Sequence, residues 1–521
     1  MRGCRLAAPR VSAADAPADN FRYSVPALAG ASARAICSLY STGIPWMSRK
    51  TVKRVKTGSL ERRFSMARAS LMAGARYATL TAGTFFSPSE SRAERRKRIL
   101  SRQAQELVRE LGSLKGSVVK VGQMMALFGE HFLPDEVTEA LHTLENQTTA
   151  LDWPAIEQEL RRELGELKLA ELEIEREPLG AASLGQVHKA VRKRDGLELC
   201  LKVQYPGVAD AIDSDMRAIV QLLRFSRLIS ITEAFNQWLE EVREMLAREV
   251  DYDLEAYTTR YFRALLAEDP RFVVPDVLTE YSTNNVLCTT FEHGIHVNDP
   301  AVMELSQERR DFIGRAIMEL CCREVFEWNK MQTDPNFGNY LLRPGHSPEE
   351  DCIVLLDFGA IRDFSNETLG PGREMIRGAR EHDAERLLAA VDALGFMQGV
   401  PQRILDAFAE LCFEAVEVLQ DPDRFPPPPE VLNERGEYLW GESDLPNRIM
   451  ARASRNALSM HFDVPPREFI FLARKLLGAY TFLHVISARV RGNLVLDPFL
   501  HMNEEADRAM VEQLREHRGG Q

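Results

Sequence analysis

Two stretches decide the fold of this chain: Thr333–Asn339, which reads TDPNFGN, and Leu355–Ala360, which reads LLDFGA. The first places Asp334 five positions before Asn339, and the second places Asp357 at the end of an apolar run. The residues between them predict two short strands, 340–342 and 353–356, around a turn that contains Pro, Gly and Ser. An Asp, an Asn and a second Asp therefore follow one another beside predicted strands.

The order of these three polar side chains is the one that protein kinases use for phosphoryl transfer. In that arrangement the first Asp handles the acceptor, while the Asn and the Asp of the DFG triplet hold Mg²⁺ against the phosphates of ATP. Either segment alone is a weak signal, because DFG occurs by chance in many proteins. Together, and downstream of a candidate lysine, they predict that Asp334 is catalytic and that Asn339 and Asp357 bind the metal.

Lys202 is the candidate lysine for the α and β phosphates, because it lies in the apolar strand LCLKVQ. Such a lysine needs an acidic partner on a helix, and the segment REVDYDLEA offers three: Glu249, Asp251 and Glu255. In a single helix over 232–268, Glu249 and Glu255 would lie about 240° apart around the axis. These two acids are then expected to serve different partners, and spacing alone does not choose among the three.

The segment PLGAASLGQVH, residues 178–188, stands where a kinase has a glycine-rich loop over the phosphates. Gly180 and Gly185 are present, but Ala181, Ala182 and Ser183 stand between them. The added Cβ atoms stiffen the loop and restrict the close approach of backbone N–H groups to phosphate. We infer a nucleotide site that is less suited to moving phosphate onto an open protein substrate.

The order of predicted elements, a sheet, then a connector, then helices, is that of a two-lobed kinase. Helical periodicity covers 101–130, 134–145, 154–162, 209–228, 232–268 and 307–328, and most of the chain after Asp357. Strands are predicted within 172–203 and near 273–274 and 286–290. Glu292–Gly294 then falls where a kinase hinge would, which makes Glu292 a candidate nucleotide contact.

Charge is distributed unevenly along the 521 residues. Residues 1–103 hold 20 Lys and Arg against 5 Asp and Glu, whereas the remainder holds 45 against 72. This pattern predicts an acidic globular body with a basic N-terminal arm. The basic residues are not interleaved with a recognisable nucleic-acid-binding module, so no nucleic acid is expected among the partners.

Three further features concern the cellular compartment. The first 46 residues are rich in Ala, Ser and Arg, as in organelle transit peptides, but Met47 opens a basic run and is the favoured translation start. The 8 cysteines show no metal-binding spacing, which indicates a reducing compartment, and Cys321 and Cys322 are expected to pack in the core. No stretch reaches about 18 uncharged apolar residues, so no transmembrane helix is predicted.

Five motifs occur in order along the chain: KVGQ at 120–123, GAASLGQVH, EVD followed by YDLEA, QTDPNFGN and LLDFGA. Together they closely resemble the UbiB/AarF family of atypical kinase-like proteins, which is associated with ubiquinone biosynthesis and lipid homeostasis. The resemblance extends from about Lys53 to Leu496.

This resemblance implies an α+β, two-lobed protein-kinase-like fold with an N-terminal helical extension that folds over the active site and a helical C-terminal lobe. Lys120 and Gln123 would form the blocking KxGQ motif, and Glu249 and Asp251 would be the ExD pair that faces it. Glu255 would then be the partner of Lys202. The nucleotide contacts would be Gly180, Ala181, Ala182, Ser183, Lys202, Glu255 and Glu292.

The same resemblance implies ATP and Mg²⁺ as cofactors, ATPase activity, and weak or absent protein phosphorylation. Lipid or quinone intermediates, a membrane surface and quinone-biosynthesis proteins are the expected partners. The expected location is cytoplasmic and peripheral at the inner membrane of a bacterium, or the mitochondrial matrix of a eukaryote. Two alternatives stay open: a genuine phosphotransferase with a protein or small-molecule acceptor, and a nucleotide-binding scaffold without turnover.

The expected organisation has five parts: a targeting-like, disordered or untranslated segment (1–50), a basic segment with the KxGQ extension (51–165), an N-terminal lobe with inserted helices (166–292), a helical C-terminal lobe (293–500) and a tail (501–521). Two departures from the family matter. Gly180 stands where the family often begins a run of three alanines, and the chain lacks the transmembrane helices that end some bacterial members.

Overall fold

The computed structural model describes residues 101, 105, 150–181, 184–226, 233–334, 336–395, 397–457 and 467–519. Lys120, Gln123, the predicted helix over 134–145 and nearly all of the one over 101–130 lie outside the described residues. The elements described below therefore belong to the two kinase-like lobes.

The helices are α1 (Trp153–Ala170), α2 (Val208–Ser226), α3 (Glu233–Glu249), α4 (Tyr252–Leu265), α5 (Pro300–Glu304), α6 (Gln307–Cys322), α7 (Asn366–Glu381), α8 (Ala384–Leu394), α9 (Gln402–Ala415), α10 (Leu445–Ala457), α11 (Arg467–Val485), α12 (Gly492–Leu500) and α13 (Glu504–Gly519). The strands are β1 (Leu172–Ile174), β2 (Gly180–Ala181), β3 (Gly185–Arg192), β4 (Leu197–Gln204), β5 (Phe272–Val273), β6 (Val286–Thr290), β7 (Ile295–His296), β8 (Lys330–Gln332), β9 (Tyr340–Arg343), β10 (Cys352–Leu355), β11 (Ile361–Asp363), β12 (Tyr438–Leu439) and β13 (Arg489–Val490).

The N-terminal lobe is built on an antiparallel sheet in the order β1-β3-β4-β6, with β2 paired to β3. Its central strand β4 buries Leu199, Leu201 and Val203 completely. Because successive side chains of a strand point to opposite faces, Lys202 lies on the face opposite to these three. Helices α1, α2 and α3 contribute apolar side chains to the core of this lobe.

The C-terminal lobe carries the two motifs that opened the sequence analysis. Strands β9 and β10 pair antiparallel, with Leu355 opposite Tyr340, so that the segment after Asn339 lies beside the segment before Asp357. A second pair, β8 with β11, flanks the same loop. The mixed α+β, kinase-like fold predicted from the sequence is therefore confirmed.

The chain passes between the two lobes three times. Helix α4 begins near the N-terminal sheet, but its Phe262 belongs to the core of the C-terminal lobe, and β5 then pairs in parallel with β10. The chain returns to the N-terminal sheet between Val274 and the bridge that Val277 makes with Thr289. It crosses again after β6, through the segment that was predicted to be the hinge.

One predicted helix is wrong: residues 232–268 form two helices. Helix α3 ends at Glu249 and α4 begins at Tyr252, because the Asp251 carboxylate accepts the backbone N–H of Leu254 at 2.9 Å and caps α4. The Val250 carbonyl at the break accepts a hydrogen bond from Gln204 Nε2 at 2.5 Å. The 240° separation of the two glutamates therefore does not apply, since they lie on different helices.

Two further helix ends differ from the prediction. The helix that was expected to end at Arg162 is interrupted at Gly165, where φ is 74° and ψ is 165°, and a further helical segment extends to Ala170. The one predicted over 307–328 ends as an α-helix at Cys322 and continues as a π-helix, Arg323–Trp328, which leads to Asn329 with φ of 51°. Among the described helices, none combines the length and the apolar character that crossing a bilayer requires.

Candidate active site

Lys202 lies at the centre of a cluster of charges between the lobes. Its Nζ donates to both carboxylate oxygens of Glu255, at 2.7 and 2.8 Å, and lies 3.4 Å from Asp357 Oδ2. The ring of Tyr252 covers the lysine, with its centroid 5.2 Å from Nζ. Strand β4, helix α4 and the DFG segment thus converge on a single ammonium group.

The ionisation of this cluster is set by burial and by mutual attraction. Burial disfavours the charged lysine, but Asp357 and Glu255 outweigh it and hold the pKa of Lys202 well above its ordinary value. Burial raises the pKa of Glu255 to about 7, Lys202 opposes this rise, and the charge of Asp357 adds to it. Lys202 therefore stays charged at neutral pH, whereas Glu255 gains or loses its proton close to neutral pH.

The structure also brings Asp334 and Asn339 together. Asn339 Nδ2 donates to Asp334 Oδ2 at 3.1 Å, and the Asn339 carbonyl accepts the N–H of Leu356 at 2.9 Å. Asp357 Oδ1 accepts the N–H of Gly359 at 2.9 Å. These hydrogen bonds thereby hold Asp334 and the two predicted metal ligands, Asn339 and Asp357, in neighbouring loop segments.

Gln332 is a site residue whose role sequence reasoning missed. It was noted only because QTD replaces the HRD triplet of protein kinases. Its Nε2 donates to the carbonyl of Asp357 at 2.7 Å, and its Oε1 accepts the N–H of Asp334 at 3.1 Å. One buried amide thus joins the backbones of both aspartates, and the only signal in the sequence was its position two residues before Asp334.

The loop over the phosphates is described in part. Gly180 and Ala181 form the short strand β2, whereas Ala182 and Ser183 lie outside the described residues. A Cβ at Gly185 would stand 2.6 Å from the Val203 carbonyl oxygen, so this position requires glycine. A Cβ at Gly180 would meet nothing within 4 Å, which leaves room for the alanine that the family often has there.

Glu292 has its carboxylate engaged at the hinge. Thr290 Oγ1 donates to one of its oxygens at 2.8 Å, and Arg343 donates to the other at 2.6 Å. Because Arg343 ends β9, these contacts connect the hinge to the strand that follows Asn339. A nucleotide contact by Glu292 stays a prediction.

The blocking motif that the family resemblance implies cannot be matched to contacts. Lys120 and Gln123 lie outside the described residues, so their arrangement against Glu249 and Asp251 stays a prediction. The structure gives Asp251 one definite role, the cap of the helix that carries Glu255.

The donor set fits magnesium. Asp357 and Asn339 offer carboxylate and amide oxygens, the hard ligands that Mg²⁺ prefers, and Mg²⁺ usually completes its shell with waters and substrate phosphates. Within the described ranges, no group of three or more His, Cys, Asp and Glu side chains could hold a metal ion. Asn339 and Asp357 stay the predicted pair of ligands for Mg²⁺ bound together with a nucleotide.

Several side chains next to these motifs have structural roles, and of the two cysteines predicted to pack in the core Cys322 is buried whereas Cys321 is half-buried. His188 is fully buried, and its ring nitrogens lie 2.8 Å from Glu175 O and 2.8 Å from Gln186 Nε2. Phe326 and Cys322 are buried in the core of the C-terminal lobe, and Trp328 packs against that core. None of these side chains enters the site.

Comparisons with known proteins identify the family of this chain and several relatives. A family model described as the ABC1 atypical kinase-like domain matches residues 143–391. The probable serine/threonine-protein kinase abkA of Dictyostelium discoideum is 30% identical over 410 residues, which are 76% of this chain and 70% of that protein. The mitochondrial atypical kinase COQ8B of Rattus norvegicus is 33% identical over 382 residues, 72% of this chain and 68% of that protein. A solved structure of an Rv3197–erythromycin complex from Mycobacterium tuberculosis aligns at a TM-score of 0.49 with 24% identity, covering 78% of this chain and 98% of the other.

Proposed function

This chain belongs to the family of ABC1 atypical kinase-like proteins, and from that premise we propose that it binds ATP with Mg²⁺ and hydrolyses it in support of ubiquinone synthesis or membrane lipid handling. The observation that carries the proposal is the assembled contact of Lys202 with Glu255 and Asp357. In kinases this lysine–glutamate pair and the DFG aspartate must both be in place for phosphoryl transfer.

Each residue would act as follows. Lys202, oriented by Glu255, would bind the α and β phosphates, and Asn339 and Asp357 would hold Mg²⁺. Mg²⁺, when bound, neutralises negative charge that develops on the phosphates. Asp334, whose carboxylate is oriented by the amide of Asn339, would accept a hydrogen bond from the attacking water and draw its proton.

Water is the favoured acceptor for two reasons. The alanine-containing loop restricts the close approach of backbone N–H groups to the phosphates, which makes the site less suited to moving phosphate onto an open protein substrate. The KVGQ extension is the second reason, since family resemblance implies that it covers the place of a protein substrate.

The link to ubiquinone comes from relatives and not from the chemistry of the site. The rat relative is a mitochondrial atypical kinase of the COQ8 type, and the UbiB/AarF family is associated with ubiquinone biosynthesis. The basic segment within residues 1–103 would bring the protein to an anionic membrane surface, where each nearby Lys or Arg contributes about 1 kcal/mol.

The test is magnesium-dependent ATP turnover by the full chain, with and without vesicles of phosphatidylcholine and phosphatidylglycerol. Asp357→Asn should lower turnover by about 100-fold or more, because it removes a metal ligand. Asp392→Asn is the matched control, since Asp392 is half-exposed and pairs with Arg515 on the surface.

Phosphate incorporation is measured in the same reactions. Turnover that rises with vesicles, is lost in Asp357→Asn and leaves no phosphoprotein is the expected result. Incorporation that matches ATP loss would instead identify a phosphotransferase. Magnesium-dependent nucleotide binding without turnover would favour the nucleotide-binding scaffold, and absence of both turnover and binding would overturn the proposal.

A further inference from the structure

A buried ion pair lies directly behind the catalytic loop. Glu324, in the π-helix, is 2% exposed, and Lys475, in α11, is 7% exposed. The lysine Nζ contacts Glu324 Oε2. The two residues are far apart in the sequence, and neither belongs to a motif singled out from it.

The other oxygen of Glu324 faces the loop. Glu324 Oε1 lies 3.4 Å from the backbone N of Gln332 and accepts its N–H. Gln332 in turn holds the backbones of Asp334 and Asp357 through its side chain. A continuous series of polar contacts therefore runs from Lys475 through Glu324 and Gln332 to both aspartates.

The π-helix that carries Glu324 is also fixed from another direction. Arg373, which is 1% exposed, donates to the Val325 carbonyl at 3.2 Å and to Asn329 Oδ1 at 2.8 Å. Asn329 stands immediately before β8 and has a left-handed backbone with φ of 51°. Single π-helical turns are rare overall, but those that occur are often found at functional sites. Glu324 is thus held rigidly with respect to the loop.

The energetics of a buried ion pair call for a role other than stability. Two charges taken out of water lose solvation that their attraction often fails to recover, and apolar replacements of both are commonly neutral or stabilising. A buried carboxylate with one oxygen on an ammonium and the other on a loop N–H restrains the position of that loop. An apolar pair would fill the same volume without this restraint.

We propose that Glu324 and Lys475 are positioning residues that act through Gln332 to fix Asp334 and Asp357 in their reactive arrangement. This inference rests on the proposed function for its activity readout. The feature that acts on the loop is the acceptor oxygen at position 324, and Lys475 keeps that oxygen oriented and its charge balanced.

The experiment compares two double variants of the full chain. Glu324→Gln with Lys475→Met is neutral and keeps an acceptor for the Gln332 N–H, whereas Glu324→Leu with Lys475→Met is neutral and lacks one. Neither leaves an unpaired buried charge, so both should fold even where Lys475→Met alone does not. Arg448→Met is the matched control, because Arg448 pairs with Glu414 and Glu417 away from the loop.

We measure kcat and KM for Mg²⁺–ATP, the melting temperature, and amide hydrogen exchange of the segment 330–339. The leucine variant should lose about 10- to 100-fold in kcat, with KM changed by less than about threefold, because misplaced reacting groups slow chemistry more than binding. Its melting temperature should be equal or higher, and segment 330–339 should exchange faster. The glutamine variant should keep kcat within about threefold of the unmodified chain.

The outcomes separate this inference from the proposed function. Wild-type-like kcat and exchange in the leucine variant would overturn it, as would equal losses in both double variants. If the unmodified chain shows no turnover, the proposed function fails. Amide hydrogen exchange of segment 330–339 is then the only measurement that decides the positioning role. Faster exchange in Arg448→Met would also contradict it, because the effect would then follow from any lost ion pair.

Discussion

At the scale of single residues, Glu255 determines the state of the Lys202 cluster. It is 4% exposed and receives two hydrogen bonds from one ammonium group. When Glu255 takes up a proton, its attraction for the ammonium group weakens, and the longer contact to Asp357 is the ion pair that Lys202 keeps. The orientation of the lysine toward the phosphates therefore depends on the charge of this carboxylate.

We predict that ATP turnover falls as the pH drops below about 7, because burial raises the pKa of Glu255 to about 7. The decrease should approach tenfold per pH unit, as for a single ionisation. Stability should change in the opposite direction. The folded state keeps this proton while the unfolded state releases it near pH 4.5, so the free energy of unfolding falls as the pH rises from about 4.5 to 7.

The control for the pH dependence is Glu255→Gln, which has no proton to lose. This variant should turn over slowly and without the decrease below pH 7. An acidic limb of unchanged position in Glu255→Gln would assign the ionisation to another group.

The functional role of a residue was predictable from the sequence only where a motif indicates it. Lys202, Asp334, Asn339 and Asp357 stand in short patterns that report their chemistry, and the structure brings them into two contacting sets. The pairing of Glu324 with Lys475 has no such pattern, because it joins two helices that meet only in the folded chain.

At the scale of elements, the break between α3 and α4 is the feature that places Glu255. An uninterrupted helix would direct residues 249 and 255 to different sides of one axis, whereas the break lets α4 begin next to β4. The sequence around Val250 contains no Gly or Pro, the usual signals of an interruption. Asp251 was the available signal, since Asp is a preferred N-cap residue.

We predict that Asp251→Ala lowers the free energy of unfolding by about 1 kcal/mol, because it removes the cap of α4. Asp251→Asn should be nearly neutral, since an amide oxygen can accept the Leu254 N–H equally well. Urea denaturation measures both variants. A loss of similar size in the asparagine variant would show that the charge of Asp251, and not its cap, is what matters.

The strands were easier to predict than the helix ends. Short runs that contain Val or Ile and are bounded by turn residues, 186–191 and 352–355, favour strands. The pairing of β5 with β10 could not be predicted, because a two-residue strand has no periodicity and its partner lies far along the chain.

At the scale of the whole molecule, a buried network fastens the last helix to the catalytic lobe. Asp507, in α13, accepts hydrogen bonds from Arg373 at 2.5 and 2.8 Å and from Arg377 at 2.7 Å. All three side chains are less than 4% exposed. Because Arg373 also contacts the π-helix, α13 is connected to the base of the catalytic loop.

We predict that Asp507→Asn lowers the free energy of unfolding by about 3–5 kcal/mol, because it leaves the buried guanidinium group of Arg373 without a countercharge, whereas Arg377 keeps its pair with Glu374. Asp392→Asn makes the same chemical change at a surface pair with Arg515 and should cost less than about 1 kcal/mol. Denaturant midpoints compare the two. Equal losses would show that burial does not govern the strength of these pairs.

The three passages of the chain between the lobes limit how this protein can be divided. A cut at Glu292–Gly294 would leave α4 and β5 on the first fragment, although Phe262 and Phe272 belong to the core of the second. Recombination with a related protein at the hinge would therefore transplant part of one lobe's interior together with the other lobe. The two lobes are therefore not exchangeable modules. The junction of a chimaera has to lie outside the span from α4 to β10, within which the chain passes between the lobes.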